Sequence, residues 1–362
     1  MKNPLTDITS QLLSLPTTTF KENSVREFIL DFCSQRKMGL RQDEFGNLIV
    51  FAKKKYPTGS LAFVAQMDHP GFIVEKKATR GSTTALSYGT GDHQQFKAAP
   101  VSISTAQGPV TAQVSDWSSA AKDKANRVTL KVSGEVSPGD LGMWDLEPFK
   151  EENGFIYSRA CNNLIGCALI LNLIESFARK SQPLSFYSIF TIAKEAGHTG
   201  AKYVCSSEIL PKKVIPISVE TSSVLPVAPM GEGVVIRVGD SQSIFTPEIT
   251  QFLLETAQQI QSRDKEFKFQ RKLMDTGKCE GSIFFDFNYR TGAISIPLGN
   301  SNNLNPDTGK IDSEYVSLFD MECAAKLMSK LVDNTPKASA IIKRPLPRYK
   351  EEKGSMGQKF LV

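Results

Sequence analysis

Histidine is scarce in this sequence, which has 3 histidines, 6 cysteines and 2 tryptophans in 362 residues. The cysteines form no Cys-x-x-Cys pair, which favours buried, reduced thiols over a disulfide framework or a zinc knuckle. No stretch approaches the ~20 consecutive apolar residues of a membrane span, and the first residues, MKNPLTDITSQLLSLP, lack a basic start followed by an apolar run. We therefore expect a cytoplasmic protein without a membrane partner.

A strong charge of either sign is also absent. The formal net charge is +5, and the last residues, IIKRPLPRYKEEKGSMGQKFLV, contribute a good part of it. No basic stripe is interleaved with aromatic residues, so a nucleic-acid partner is not expected. The 40% hydrophobic and 22% charged residues are ordinary for a globular protein. The length predicts two domains whose cores need neither disulfides nor a structural metal.

Hydrophobic spacing in the first part of the chain changes from helical to strand-like. Residues 24–39 predict a helix, because apolar residues recur at helical spacing from Val25 to Phe32. The runs GNLIVFAKKK and SLAFVAQMD then read as two strands of a hairpin that turns at 57–59. From about Gly71 to Gly142, short β-rich runs alternate with Gly, Asp and Ser turns, which indicates a small all-β insert.

Helix and strand patterns alternate after residue 155. The predicted elements are a helix at 162–179, strands at 185–195 and 213–220, a helix at 249–262, a strand at 293–299 and a closing helix at 314–332. This alternation predicts an α/β fold, a three-layer, mostly parallel sheet flanked by helices. We expect the α/β domain to comprise 1–70 and 155–340, the insert 71–154, and a loosely attached basic tail 341–362.

Polar residues stand where several predicted strands end or where the next helix begins. Open α/β sheets hold ligands at the carboxyl ends of their strands, so these side chains are expected to converge on one site. The set is Gln66, Asp68, Asn162, Lys194, Glu195, Glu220 and Asn302.

Five segments resemble, in order, signature stretches of the co-catalytic zinc aminopeptidase clan, which includes glutamyl and tetrahedral aminopeptidases. They are AQMDHPGF, RACNNLIGC, TIAKEAGHTGA, KVIPISVE and IPLGNSNN. The resemblance spans nearly the whole chain, including the β insert. It implies the zinc-exopeptidase fold, with an insert that acts as a lid or in dimerisation, and a homo-oligomer.

The resemblance assigns five positions to metal ligands and two to catalysis. The substituted ligand positions are Gln66, Asn162 and Asn302, and the surviving ones are Glu195 and Glu220. Lys194 stands at the general-base position, and Asp68 stands where an aspartate orients the first ligand. Carboxamides are poor donors to Zn²⁺, and an ammonium accepts no proton. The resemblance therefore implies zinc in intact relatives, and no metal or a weakly held one here.

Two functions fit these substitutions, and whether the protein is an enzyme stays open. The first is a pseudoenzyme that keeps its pocket and binds peptide N-termini or small peptides, or takes part in an assembly. The second is a hydrolase, an aminopeptidase or deacylase, that uses one metal or altered ligands. If Lys194 points inward, we expect its ammonium to pair with Glu195 or Glu220 in the place of a metal.

Simpler interpretations of single segments also remain. Lys194 and Glu195 could form an ordinary solvated ion pair. Asn162-Asn163 could serve only as a helix N-cap, and residues 300–303 could be only a turn-rich loop. A rebuilt metal site could use His69 or His198 with the two surviving glutamates, whereas His93 lies in the insert.

Overall fold

The computed structural model describes residues 3–51, 61–89, 96–118, 125–180, 182, 184–275 and 277–338. Three features discussed above lie outside the described residues: the turn at 57–59, His93 and the tail 341–362.

The described residues form a large mixed sheet, a closed β barrel and seven α-helices. The strands are β1 Gly39–Gln42, β2 Leu48–Phe51, β3 Leu61–Gln66, β4 Gly71–Val74, β5 Ser82–Tyr88, β6 Pro100–Thr105, β7 Gly108–Ser118, β8 Asn126–Val132, β9 Leu141–Trp144, β10 Lys150–Glu152, β11 Phe155–Ser158, β12 Tyr187–Thr191, β13 Ile215–Ser223, β14 Val234–Gly239, β15 Phe269–Leu273, β16 Gly292–Gly299 and β17 Glu314–Ser317. The helices are α1 Pro4–Leu13, α2 Asn23–Gln35, α3 Cys161–Arg179, α4 Thr199–Ser206, α5 Pro247–Arg263, α6 Glu280–Asp286 and α7 Leu318–Asp333.

The large sheet separates two hydrophobic cores, which confirms the predicted three-layer α/β fold. Strand β3 shows why, since Leu61, Phe63 and Ala65 face the core under α1, α2, α3, α5 and α7. Ala62 and Val64 face the opposite core under α4 and α6. A strand that is buried on both faces has no polar side, and LAFVA accordingly shows no alternation.

Parallel pairing is confined to part of the sheet. The order is β1-β2-β12-β3-β13-β16-β17-β11-β10, with β14 on β16 and β15 on β14. Strands β12, β3, β13 and β16 are parallel neighbours, as are β14 and β15, whereas the other pairs of this sheet are antiparallel. The description "mostly parallel" therefore fits only the centre of the sheet. At its two ends, β1-β2 and β10-β11 are joined by tight turns, and a tight turn allows only antiparallel pairing.

One predicted pairing was wrong. Strands β2 and β3 do not form a hairpin, because β12 lies between them, antiparallel to β2 and parallel to β3. Residues 150–152, assigned to the insert, form β10 and pair with β11 in the large sheet. The barrel strands, in the order β4-β5-β8-β7-β6-β9, lie between Gly71 and Trp144. Where the two domains divide otherwise stays a prediction.

The predicted closing helix was too long at its start. Residues 314–317 form β17, which pairs with β16 and β11, and the helix begins at Leu318. Ser317 caps that helix by accepting a hydrogen bond from the Asp320 N–H. This boundary places Glu314 on a strand beside the end of β16, where it reaches the site described below.

Among the described helices, α3 is long and apolar enough, by length and composition alone, to cross a membrane. The expectation that no such stretch exists was therefore wrong. Of its most apolar 18 residues, 78% are buried inside the protein. Helix α3 packs on β3 and β13, where Gly166 is required because a Cβ there would lie 2.4 Å from the Val219 carbonyl oxygen. Its apolar surface is thus accounted for by the core.

Candidate active site

The loops after β12 and β16 and the last part of β13 border a cavity of about 160 Å³. Five of the predicted site residues line it: Asn162, Lys194, Glu195, Glu220 and Asn302. The other two, Gln66 and Asp68, are fully buried behind this lining. The structure therefore brings together all the segments that the sequence singled out, although their chemical roles stay predictions.

Strand β13 extends further than predicted. Glu220 does not end the strand, because β13 continues to Ser223, and Thr221, Ser222 and Ser223 also line the cavity. The glutamate is 2% exposed, and its Oε1 accepts hydrogen bonds from Ser218 Oγ and from the Glu280 N–H. These donors hold the carboxylate in place at the cavity.

The three substituted ligand positions are linked by their amides. Asn163 Nδ2 donates to Gln66 Oε1 at 3.1 Å, and Gln66 Nε2 reaches Asn162 Oδ1 at 3.5 Å. Asn162 Nδ2 in turn reaches Asn302 Oδ1 at 3.4 Å. The last two contacts are long and individually weak. We call these four residues the amide chain.

The local backbone explains why asparagine suits these positions. Asn162 and Asn163 have non-helical dihedral angles, and the residue that precedes α3 is Ala160, so the asparagines are not merely its N-cap. Asn302 has φ 57°, and Asn300 and Asn303 also have positive φ, a conformation that asparagine tolerates better than most residues. Residues 300–303 therefore form a tight turn and also contribute to the cavity.

Lys194 points inward and forms an ion pair with Glu195. Its Nζ lies 3.0 Å from Glu195 Oε1, and the two side chains are only 14% and 11% exposed. Burial alone would lower the pKa of Lys194, but the charges of Glu195, Glu220 and Asp68 outweigh it and raise the pKa above its usual value. The side chain is therefore an ammonium at neutral pH, and the pair is not an ordinary solvated one.

Asp68 fixes the loop that carries this ion pair. Its carboxylate accepts hydrogen bonds from the N–H groups of Lys194 at 2.9 Å and Glu195 at 3.0 Å, and from Thr19 Oγ1 at 3.0 Å. Burial and the charge of Glu195 raise the pKa of Asp68, while the two backbone donors act in the opposite direction. Asp68 thus positions the main chain of residues 194–195, whereas the resemblance had assigned it to the orientation of a ligand at position 66.

Glu314 is a site residue that the sequence analysis missed. It accepts hydrogen bonds from the backbone N–H groups of Asn162 and Asn302, each at 2.8 Å, and lies 3.2 Å from His69 Nε2. Burial lowers the pKa of His69, but the Glu314 carboxylate outweighs this effect and the pKa is raised. The available signal was an acidic residue at the start of the strand EYVS, and it was missed because a helix was predicted there.

Two further buried carboxyl groups lie close to this site. Burial and the charge of Glu220 raise the pKa of Glu280 to about 8, and Thr191 Oγ1 donates to its Oε1. Burial and the charge of Asp68 raise the pKa of Glu22 to about 8, and the Glu22 carboxyl accepts a hydrogen bond from the Ala193 N–H. These raised pKa values favour the protonated, uncharged form of both groups, which limits the negative charge around Lys194. No spacing in the sequence indicated either residue.

Comparisons with known proteins extend the resemblance. The family model described as M42 glutamyl aminopeptidase matches residues 121–302, half of the chain. The chain belongs to this family. The matched range contains five of the site residues, whereas Gln66 and Asp68 precede it. A curated relative, the glutamyl aminopeptidase of Lactococcus lactis subsp. cremoris, is 31% identical over 126 residues, which are 34% of this chain and 35% of that protein. The match thus spans about a third of the relative's length.

Solved structures share the fold of this M42 family member over almost its whole length. The TET aminopeptidase from the marine sediment archaeon Thaumarchaeota archaeon SCGC AB-539-E09 is 17% identical, with a TM-score of 0.78 over 94% of this chain and 100% of that one. The TET1 peptidase of Pyrococcus horikoshii, which can assemble into a tetrahedron or a large octahedral shell, is 18% identical, with a TM-score of 0.73 over 91% and 99%. These likenesses confirm the fold.

The residues of this family member do not fit a metal pair. Among the described residues, no group of three His, Cys, Asp or Glu side chains is arranged to hold a metal ion. Of the two histidines considered for a rebuilt site, His69 uses both ring nitrogens, on Glu314 and on the Pro70 carbonyl. Burial and the charge of Lys194 lower the pKa of His198 to about 4. With amides at three ligand positions and an ammonium beside Glu195, we derive no metal-dependent step.

Proposed function

We propose that this chain is a ligand-binding member of the M42 family that does not carry out two-metal hydrolysis. The Lys194–Glu195 ion pair carries the proposal, because it occupies the general-base position and engages a surviving ligand position with an internal cation. The ligand that we propose bears a primary amine, as peptide N-termini and small peptides do, because Glu220 offers an anionic oxygen at the cavity.

Charge supports this proposal. A dication placed about 4 Å from the Lys194 ammonium would be repelled by roughly 8 kcal/mol at an effective dielectric constant of about 20. An amide oxygen brings no net charge to offset that repulsion, and amides stand at three of the five ligand positions. The ammonium supplies part of the positive charge that the buried carboxylates need, so the pocket keeps its polar structure without a metal.

The test combines metal content with hydrolysis. Protein purified without added metal is expected to contain far less than one zinc per chain by mass spectrometry, and to release no product from amino-acid amides. The variant that combines Gln66→His, Asn162→Asp, Lys194→Glu and Asn302→His is expected to bind zinc and gain hydrolysis. Stoichiometric metal together with hydrolysis in the unaltered protein would contradict the proposal.

The second candidate is a hydrolase, an aminopeptidase or deacylase, that works with one metal or with altered ligands. Family membership and the curated glutamyl aminopeptidase relative favour it, and so does the retention of Glu195, Glu220 and Asp68. The same assays separate the candidates, because hydrolysis that a chelator abolishes and one equivalent of metal restores would support the hydrolase.

We also propose a homo-oligomer in the cytoplasm. The TET1 peptidase of Pyrococcus horikoshii can assemble into a tetrahedron or a large octahedral shell, and the present chain covers 99% of that chain with the same fold. A mass several times 39.8 kDa in analytical ultracentrifugation would support the assembly, and a monomer at micromolar concentration would contradict it.

A further inference from the structure

The amide chain has a fixed direction. Asn163 Nδ2 lies 2.6 Å from the Val219 carbonyl oxygen, which can only accept a hydrogen bond. Turning the Asn163 amide round would place two acceptors at that distance, so its NH₂ group must face Val219. A backbone carbonyl therefore determines the orientation of the first amide, which sequence alone could not have indicated.

That orientation passes along the chain of amides. The NH₂ group of Asn163 requires the oxygen of Gln66 to face it, so the NH₂ group of Gln66 points to Asn162. In this arrangement Thr221 Oγ1 also donates to Asn162 Oδ1 at 3.1 Å. The Asn162 NH₂ group then faces Asn302 Oδ1, and the NH₂ group of Asn302 remains as the terminal donor in the cavity lining.

The other side of the cavity offers an acceptor of opposite character. Glu220 is almost fully buried, yet it forms no ion pair with any residue that the structure describes. Its Oε1 is used by Ser218 and the Glu280 N–H, and within the described chain no hydrogen bond reaches Oε2. Glu220 thus presents a fixed anionic oxygen to the cavity, and Asn302 and Lys194 present donors.

The charges and the size of the cavity fit a small ligand with a cationic group at one end and an anionic group at the other. Its lining carries three cationic side chains, Lys194, Arg237 and Lys278, and two anionic ones, Glu195 and Glu220. A ligand with an amine alone would leave the donors without an acceptor, and a carboxylate alone would face Glu220. The volume of about 160 Å³ lies well below the roughly 300–1,000 Å³ typical of pockets for drug-sized ligands, so it suits a single residue better than a peptide.

We infer that the cavity binds a free α-amino acid. Its ammonium group pairs with Glu220, and its carboxylate accepts hydrogen bonds from Asn302 Nδ2 and Lys194 Nζ. This inference rests on the proposed ligand-binding function and narrows its ligand to a zwitterion that carries both charges on one small molecule. The amide chain leaves the NH₂ group of Asn302 as a donor, which suits an anion, whereas a metal ion would need an acceptor atom there.

The first experiment uses the unaltered protein. Each of the twenty common amino acids is added at 10 mM, and its effect on the midpoint of thermal unfolding is measured. For the amino acid with the largest effect, calorimetry compares it with the amine that lacks the carboxylate and the acid that lacks the ammonium. A charged pair that loses one partner typically loses tenfold or more in affinity, so we expect each analogue to bind at least ~10-fold more weakly.

Two variants test the residues assigned to the carboxylate and the ammonium of the ligand. Asn302→Asp replaces the terminal NH₂ donor with an oxygen, and Glu220→Gln removes the anion with little change in shape. Each is expected to weaken binding of the amino acid at least ~10-fold. Asn153→Asp, on an exposed turn outside the cavity lining, makes the same chemical change as a control and is expected to bind as the unaltered protein does.

Several results would overturn the inference. They are the absence of a shift with every amino acid, an amine that binds as tightly as its parent amino acid, and variants with unchanged affinity. Circular dichroism checks that each variant is folded, and the analogue comparison decides the question even if a variant is not. Metal content and hydrolysis are read separately, so a failure of this inference leaves the test of the proposed function independent.

Discussion

Removal of the Lys194 ammonium is the perturbation that most directly tests how the site is stabilised. Lys194→Met keeps the length and apolar stem of the side chain but leaves Glu195 without its partner at 3.0 Å. Removing one partner of a buried ion pair costs about 3–5 kcal/mol, because the other charge stays buried and uncompensated. Since 14% of Lys194 and 11% of Glu195 remain exposed, we expect a loss of about 3 kcal/mol, near the lower end.

The pH dependence of this loss has a definite sign. The folded-state pKa of Lys194 lies above the reference value of 10.5, so its contribution to stability is fully present below pH 10.5 and is lost only as the pH rises through the folded pKa. The titration of Lys194 itself therefore adds no change to the difference between the two proteins from pH 6 to 9.

Urea denaturation followed by circular dichroism measures the free energy of unfolding. Lys202→Met on α4 is the matched control, since Lys202 is exposed and forms no ion pair within the described residues. A second substitution, Glu195→Gln, should restore part of the loss when it is combined with Lys194→Met. If Lys194→Met costs no more than the control, within about 0.5 kcal/mol, the ammonium is not the counter-charge of the site.

Two other buried groups give separate predictions. Glu314→Gln should cost about 3 kcal/mol, because it removes the charge that His69 faces and replaces one acceptor with a donor. The pKa of His69 is raised above 6.5, so this loss of stability should be largest below pH 6.5 and should shrink as the pH rises past the folded pKa. An NMR titration in which Glu314→Gln leaves the pKa of His69 unchanged would contradict the role given to Glu314. For Glu22, the folded pKa of about 8 exceeds the reference value of 4.5, so stability should fall from pH 4.5 to 8, and Glu22→Gln should flatten that fall in unfolding measurements at pH 5 and pH 8. An equal fall in both proteins would refute the assignment of this proton to Glu22.

The elements of the α/β core could be predicted because their apolar residues repeat at clear intervals. Helices α2, α3 and α5 and strands β12, β13 and β16 were all expected close to where they lie. The predicted hairpin failed for a physical reason, since strand character is a local property and the choice of partner is not. Strand β12, more than a hundred residues away in sequence, pairs with both β2 and β3.

The residues of the candidate site could likewise be predicted only in part. Order along the chain and strand ends were enough to expect Asn162, Lys194, Glu195, Glu220 and Asn302 near one another, and they line one cavity. Glu314 was missed because a four-residue strand directly before a helix has no periodicity of its own. The buried carboxyl groups with raised pKa values, Glu22 and Glu280, have no local signature in the sequence, because burial is decided by the packing of distant segments.

The sequence by itself determined the kinds of atoms that this site can offer, since amides, carboxylates and the Lys194 ammonium at known positions limit the possible chemistry. Only the tertiary structure decided where those atoms point. The Val219 carbonyl orients the amide chain, and Glu314 holds the backbone of Asn162 and Asn302. The reason is that hydrogen bonds depend on direction and distance between groups far apart in the chain, and these are set only when the sheet and its helices pack.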